Sequence, residues 1–213
     1  MSIMTTMIWT PNSSGAVPQL AINLNLFRDA ARAAGYTCDT MALIPGGGGV
    51  QGEMGITMEF EDGAAFAASL DAEPAPEIIQ SQQATQYSDS SPVRTTTWME
   101  LPGLETPYSE IPKGVNQVSY IRIHPGKQAE AIEMVTKSKE IMNRLGCKVR
   151  VMNAFLSNPS GMLLFGMFHE SATAWNSFNE KLMADEEWIA HWTKPSRAEI
   201  SEVIRISSFR ITP

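Results

Sequence analysis

The hydrophobic period of this chain passes through the same series of changes twice, and that repetition limits its possible folds more than any single motif does. Residues 3–9 are rich in Thr, Ile and Trp and read as a strand. From Leu20 the apolar positions recur every three or four residues, at Leu24, Phe27, Ala31 and Ala34, which lays one stripe along a helix. Pro18 suits the first turn of that helix and Gly35 its end. Residues 37–44 read as the next strand, and the glycine run 46–49 lets the chain reverse into 53–60. There Met54, Ile56, Met58 and Phe60 alternate with polar or small residues, which predicts a strand with one buried face. A helix over 64–70 ends before Pro74 and Pro76, a second helical stretch covers 77–86, and 93–101 alternates as a fourth strand.

After a Pro- and Gly-bearing stretch at 102–114 the order starts again. Residues 115–123 form a strand that turns at His124, Pro125 and Gly126. The helix that follows carries Ile132, Val135, Ile141, Met142 and Leu145 on its apolar side and ends at Gly146. Residues 148–156 and 162–168 are paired strands around a hairpin loop at 158–161. Ser171 caps a helix bearing Trp175, Phe178 and Leu182, Asp185 caps a continuation through Trp192, and 203–211 is the eighth strand. Cys38 and Cys147 even fall at matching places, each shortly after a helix-ending glycine.

One βαββαβ unit covers a single sheet face with its two helices and leaves the other face apolar, so it must pair with a second sheet. Two units in one chain supply that partner internally. The expected fold class is α+β: ferredoxin-like βαββαβ units at 1–101 and 115–213, joined by a linker at 102–114 and fused into an α+β barrel with antiparallel sheets and outer helices.

A net charge of −7 and a pI near 5.0 argue against nucleic acid or an anionic membrane as partner, because phosphate contacts need a basic surface. The first ten residues carry neither Lys nor Arg and no unbroken apolar stretch, which argues against a secretory signal. No apolar run approaches the ~20 residues that a bilayer core requires. The cysteines Cys38 and Cys147 are too few for a disulfide framework and lack the paired spacing of a zinc site. Free buried thiols and a cytoplasmic location are expected.

Three short segments carry a family resemblance. Residues 121–127, ending His124-Pro125-Gly126-Lys127, run from the first strand of the second unit into its helix. The other two are His169-Glu170-Ser171 and the segment from Asp185 through Trp188 to His191. On these residues the second half, 115–213, resembles the dimeric α+β barrel superfamily, in particular NIPSNAP-like and antibiotic-biosynthesis-monooxygenase-like domains; the first half shares topology only. The resemblance implies a cofactor-independent enzyme acting on a small aromatic or polyketide-like molecule, with His191 or His169 as base and the tryptophans shaping the pocket. It leaves a homodimer open. The heme-degrading monooxygenases of the same superfamily place a helical His in the region of His191, but also need an Asn and a Trp where this chain has Ser119 and His169. No heme or other cofactor and no metal is therefore expected.

His124, His169 and His191 are the only histidines, and they lie on separate elements without metal-ligand spacing. His124 sits beside a turn and reads as solvent-facing. His169 shares strand parity with Leu163, Phe165 and Met167, so it is the candidate for proton transfer on that surface, with His191 beside it. Trp175, Trp188 and Trp192 are the candidate substrate-binding residues, although aromatics at helical spacing are more often core. The 13 methionines admit both packing and pocket roles. The glycine run 46–49 lacks a following Lys or helix start and is no phosphate loop. A Ser-His-Asp order is absent, which leaves a hydrolase without support. Two functions stay open, a small-molecule enzyme and a non-catalytic ligand-binding or stress-response protein, and the site of either is expected in the second half.

Overall fold

The computed structural model describes residues 1–86, 89–156 and 161–212. The hairpin loop expected at 158–161 lies, apart from Gly161, outside them. The first half runs β1 (Ile3–Pro11), α1 (Val17–Ala33), β2 (Thr37–Leu43), β3 (Met54–Phe60), α2 (Gly63–Asp71), α3 (Pro76–Gln86) and β4 (Ser90–Glu100). The second runs β5 (Val115–Ile123), α4 (Gln128–Arg144), β6 (Lys148–Leu156), β7 (Met162–His169), α5 (Ala172–Ala184), α6 (Glu186–Trp192), α7 (Arg197–Ile200) and β8 (Ser201–Thr212). Gly35 and Gly146 end the two long helices with φ of 88° and 95°, a left-handed conformation that a side chain would resist.

The strands close into one barrel in the order β1-β3-β2-β8-β5-β7-β6-β4, and every neighbouring pair is antiparallel. Each half contributes four adjacent strands, 4-1-3-2 and 8-5-7-6, and the seams are β2 with β8 and β4 with β6. The expected α+β barrel is the observed one, and its closure leaves no free sheet edge.

Closure corrects one expectation, that β3 has a single buried face. Ile56 and Phe60 point outward to the helices, while Glu59, on the opposite side, is also buried. It faces the barrel interior, where Arg150 Nη1 donates to Glu59 Oε1 at 2.6 Å and Arg150 Nε to Glu100 Oε1 at 3.0 Å. One buried guanidinium from the second half thus bonds two carboxylates of the first. Around these charges the interior holds an apolar cluster of Trp98, Met152, Tyr120, Leu164 and Phe209, with polar groups among it: Trp98 Nε1 donates to Thr6 Oγ1 at 3.2 Å and Arg94 lies over the Tyr120 ring.

Outside the barrel each half has its own helix-to-sheet core. Leu20, Leu24, Phe27 and Ala31 of α1 pack with Ile56 and with Ile78 of α3, whereas Ala34, expected on that stripe, is exposed. Ala131, Val135, Ile141 and Met142 of α4 pack with Val149, Leu163, Phe178 and Trp188; Ile132, expected to be buried, is 41% exposed. The stretch 102–114 lies against both halves. Tyr108 and Lys113 bond Asp39, while Thr106 Oγ1 donates to the Val149 carbonyl at 2.8 Å. The glycine run also lies on the barrel wall, with Ser208 N donating to the Gly47 carbonyl at 2.7 Å.

Candidate functional site

A cavity of about 450 Å³ opens between the outer face of the second half's sheet and its helices. That is within the roughly 300–1,000 Å³ of small-molecule sites. Its floor is Gln117, Ser119 and Ile121 of β5, Phe165 and Met167 of β7, and Val203 and Ile206 of β8. Val203 and Ile206 lie an odd number of residues apart, which in a regular strand puts them on opposite faces. A register shift in the β5–β8 pairing between Tyr120 and Ile121 returns both to the cavity side.

Helix α4 forms one wall with Met134, Val135, Ser138 and Met142, and α5 contributes Asn179, Leu182 and Met183. The chain then breaks at Asp185, whose carboxylate accepts from the Trp188 N–H at 2.8 Å and starts α6 in a new direction. That break brings Trp188, Ile189 and Trp192 over the opening, with the two indoles stacked at 5.1 Å. Arg197 of α7 covers the Trp192 ring, its Cζ 4.0 Å from the centroid. The lining is therefore aromatic and thioether-rich, with polar groups on several sides: Gln117 and Ser119 on the floor, Ser138 and Asn179 on the helical walls, and Thr193 and Arg197 beyond α6. Four of the methionines, Met134, Met142, Met167 and Met183, serve the cavity as well as packing.

His191 stands at the edge of this space, behind the α4 wall. Its Nε2 lies 2.9 Å from Ser138 Oγ and 3.4 Å from Arg197 Nη1. A guanidinium only donates, so this contact suits a neutral ring with the lone pair on Nε2. Burial, then Arg197, Lys194 and Lys137, hold its pKa below the usual histidine value, against a smaller opposing pull from the Met134 carbonyl.

The sequence candidates separate in space. Trp188 and Trp192 line the cavity and His191 adjoins it through Ser138. His169 has the predicted parity but lies past the cavity floor, buried with Cys147 Sγ 3.7 Å from its Nε2 and the Phe178 ring 5.0 Å from its own. Trp175 is not among the lining residues; its indole N–H is buried without a partner. His124, expected to face solvent, is only partly exposed on its turn, its Nδ1 3.1 Å from the Glu199 carbonyl. Ser138 and Arg197 were not among the candidates. Ser138 had a signal, a polar residue within the α4 stripe at helical spacing from Met134, Val135 and Met142; Arg197 follows Pro195 on a short turn with no periodicity to mark it.

No family model matches this chain, and no curated protein matches it in sequence. Solved structures do resemble its fold. A candidate monooxygenase of Fusobacterium nucleatum superposes with a TM-score of 0.66 at 6% identity, covering 100% of this chain and 93% of that one. An anthrone oxidase-like protein gives 0.61 at 11% identity over 100% and 92%. A variant of Rhodococcus jostii DypB, in complex with heme, gives 0.56 at 8% identity over 100% and 93%. At these identities the likeness establishes the α+β barrel and nothing of the chemistry.

Heme can be tested against the lining. Protein ligands to heme iron are His, Cys or Tyr, or Met alongside His. Among the described residues lining the cavity only methionines qualify, and the Nε2 of the adjacent His191 is turned to Ser138 and Arg197. The donor set does not fit heme. Nor do the described residues contain a group of three His, Cys, Asp or Glu placed to hold a metal ion, or a helix long and apolar enough to cross a membrane.

Proposed function

We propose that this protein binds a hydrophobic, ring-bearing small molecule in the second-half cavity and acts on it as a cofactor-independent monooxygenase. The observation that carries the reading is the cavity itself: about 450 Å³, walled by Trp188, Trp192, Phe165 and four methionines, with Ser138 and Arg197 among its polar groups. A flat apolar molecule gains contact with the indoles and thioethers, and its oxygen atoms meet the polar groups. The fold neighbours described as a candidate monooxygenase and an anthrone oxidase-like protein support the same class. So does the resemblance of residues 115–213 to antibiotic-biosynthesis-monooxygenase-like and NIPSNAP-like domains.

One observation favours a second reading, a ligand-binding protein without catalysis: Arg197 is the only ionisable side chain among the described residues lining the cavity. Titration with anthrone, followed by tryptophan fluorescence and an oxygen electrode, separates the two. Quenching with oxygen uptake supports the enzyme, and quenching without uptake supports the binder. An anthrone and a panel of polyketide-like aromatics that all fail to quench would remove both readings.

A further inference from the structure

The α4 wall has a second space on its other side. A polar groove lies there, lined by His191 together with Lys127, Glu130, Glu133, Lys137 and Glu140; Met134 and Arg197 line both spaces. Ser138 therefore faces the apolar cavity, and the imidazole behind it faces the groove. The Ser138 hydroxyl has one proton and two acceptors within reach, the Met134 carbonyl at 3.0 Å and His191 Nε2 at 2.9 Å. A small rotation of that hydroxyl moves its hydrogen bond from one to the other.

We propose that Ser138 and His191 form a proton relay through this wall, taking a proton from a flat, weakly acidic aromatic ligand while Arg197 holds the anion that remains. The proposal rests on the cavity being the ligand site. In the step, the ligand's C–H or O–H bond breaks and its electron pair stays on the ligand as an enolate or phenolate. The proton passes to Ser138 Oγ as the serine's own proton passes to Nε2, giving a neutral serine and an imidazolium. The imidazolium then releases its proton into the groove. No oxidant is needed for this half of the chemistry, so it can be observed without turnover.

The charges around His191 suit a base. Arg197 and Lys194 on its own side and Lys137 across from α4 disfavour the imidazolium, which keeps the lone pair free near neutral pH. The groove carboxylates Glu130, Glu133, Glu140 and Glu199 offer the proton its exit. Arg197, flat on Trp192, presents its remaining donors at the cavity mouth, where the ligand's oxygen anion forms.

The test is hydrogen–deuterium exchange at the methylene of anthrone in D2O without oxygen, measured by NMR, with binding measured separately by tryptophan fluorescence. The intact protein should accelerate exchange, and the rate should rise with pH through a histidine-like pKa below the usual value. Measured at saturating anthrone, Ser138→Ala and His191→Gln should each slow exchange by about 100-fold or more, and Ser138→Thr, which keeps the hydroxyl, should retain it. Melting temperatures of the variants show that each is folded. Binding without exchange, or exchange indifferent to Ser138→Ala or lacking the pH step, overturns the relay and leaves the ligand site standing. A failure of anthrone and the aromatic panel to bind overturns both.

Discussion

Over the first half's sheet, α3 lies on α1 with apolar and short polar contacts: Ile78 enters the Leu20, Leu24 and Phe27 cluster, and Asn23 Nδ2 donates to the Ala84 carbonyl at 2.9 Å. Over the second half's sheet, the partner of α4 is α6, and beside the buried Trp188 they meet through polar side chains. His191 reaches Ser138, Lys137 reaches Glu187 at 2.5 Å, and Arg144 reaches both Asp185 and Glu187 at 2.9 Å. Long side chains bridge α4 and α6 where Ile78 inserts directly against α1. The same topology thus yields a filled layer in one half and a roofed cavity in the other, so the cavity belongs to the side chains and not to the fold.

That difference sets how each layer answers truncation. Leu24 is 2% exposed with partners on every side, and Leu24→Ala should cost ~2–5 kcal/mol, read from urea midpoints. Met142 is 4% exposed but borders the cavity, so part of its surface already lacks protein contact. Met142→Ala should cost less than Leu24→Ala and weaken aromatic ligands. Equal losses of stability would mean that the cavity closes up when empty.

Enlargement should reverse the sign between the halves. Ala31 is fully buried under the α1 stripe, and Ala31→Leu should destabilise by ~1–3 kcal/mol because no space is free. Ser119 faces the cavity from β5, and Ser119→Leu should add ~0.5–2 kcal/mol by filling it. The same Ser119 variant should lose anthrone binding in the fluorescence titration. Destabilisation at both positions would show the second layer to be as tightly packed as the first.

The pattern of apolar periods made this architecture legible, because strand and helix each bury a face with a fixed repeat and both halves show the series. It could not show which polar side chains the barrel takes inside, which is why β3 read as having one buried face when Glu59 opposite is a buried partner of Arg150. Trp188 and Trp192 were legible as pocket material from their crowding with His191. Trp175 belongs to the same crowd in sequence, but it precedes the break at Asp185 and does not reach the lining. His169 shows the limit of parity: alternation fixes which face a strand residue takes, not how far along that face a cavity extends.

His169 also gives the smallest and most specific contrast between the halves. At the end of β3, Phe60 packs edge-on to Phe66 of α2 with centroids 5.3 Å apart, and at the end of β7, His169 packs on Phe178 of α5 at 5.0 Å. One ring is inert and the other titrates. Burial holds His169 below the usual value of 6.5, so on the acid side of that value the native state binds fewer protons than the unfolded chain. The stability contributed by the neutral ring is complete above 6.5 and is lost as pH falls below it. His169→Phe copies the arrangement of the first half and removes this titration, so its urea midpoint should drop less than that of the unaltered protein between about pH 7.5 and about pH 5.5. His191, also held low, keeps the remaining dependence in the same direction. Identical pH slopes for the two proteins would show that His169 is protonated as readily in the fold as outside it, and the contrast with Phe60 would then be one of shape alone.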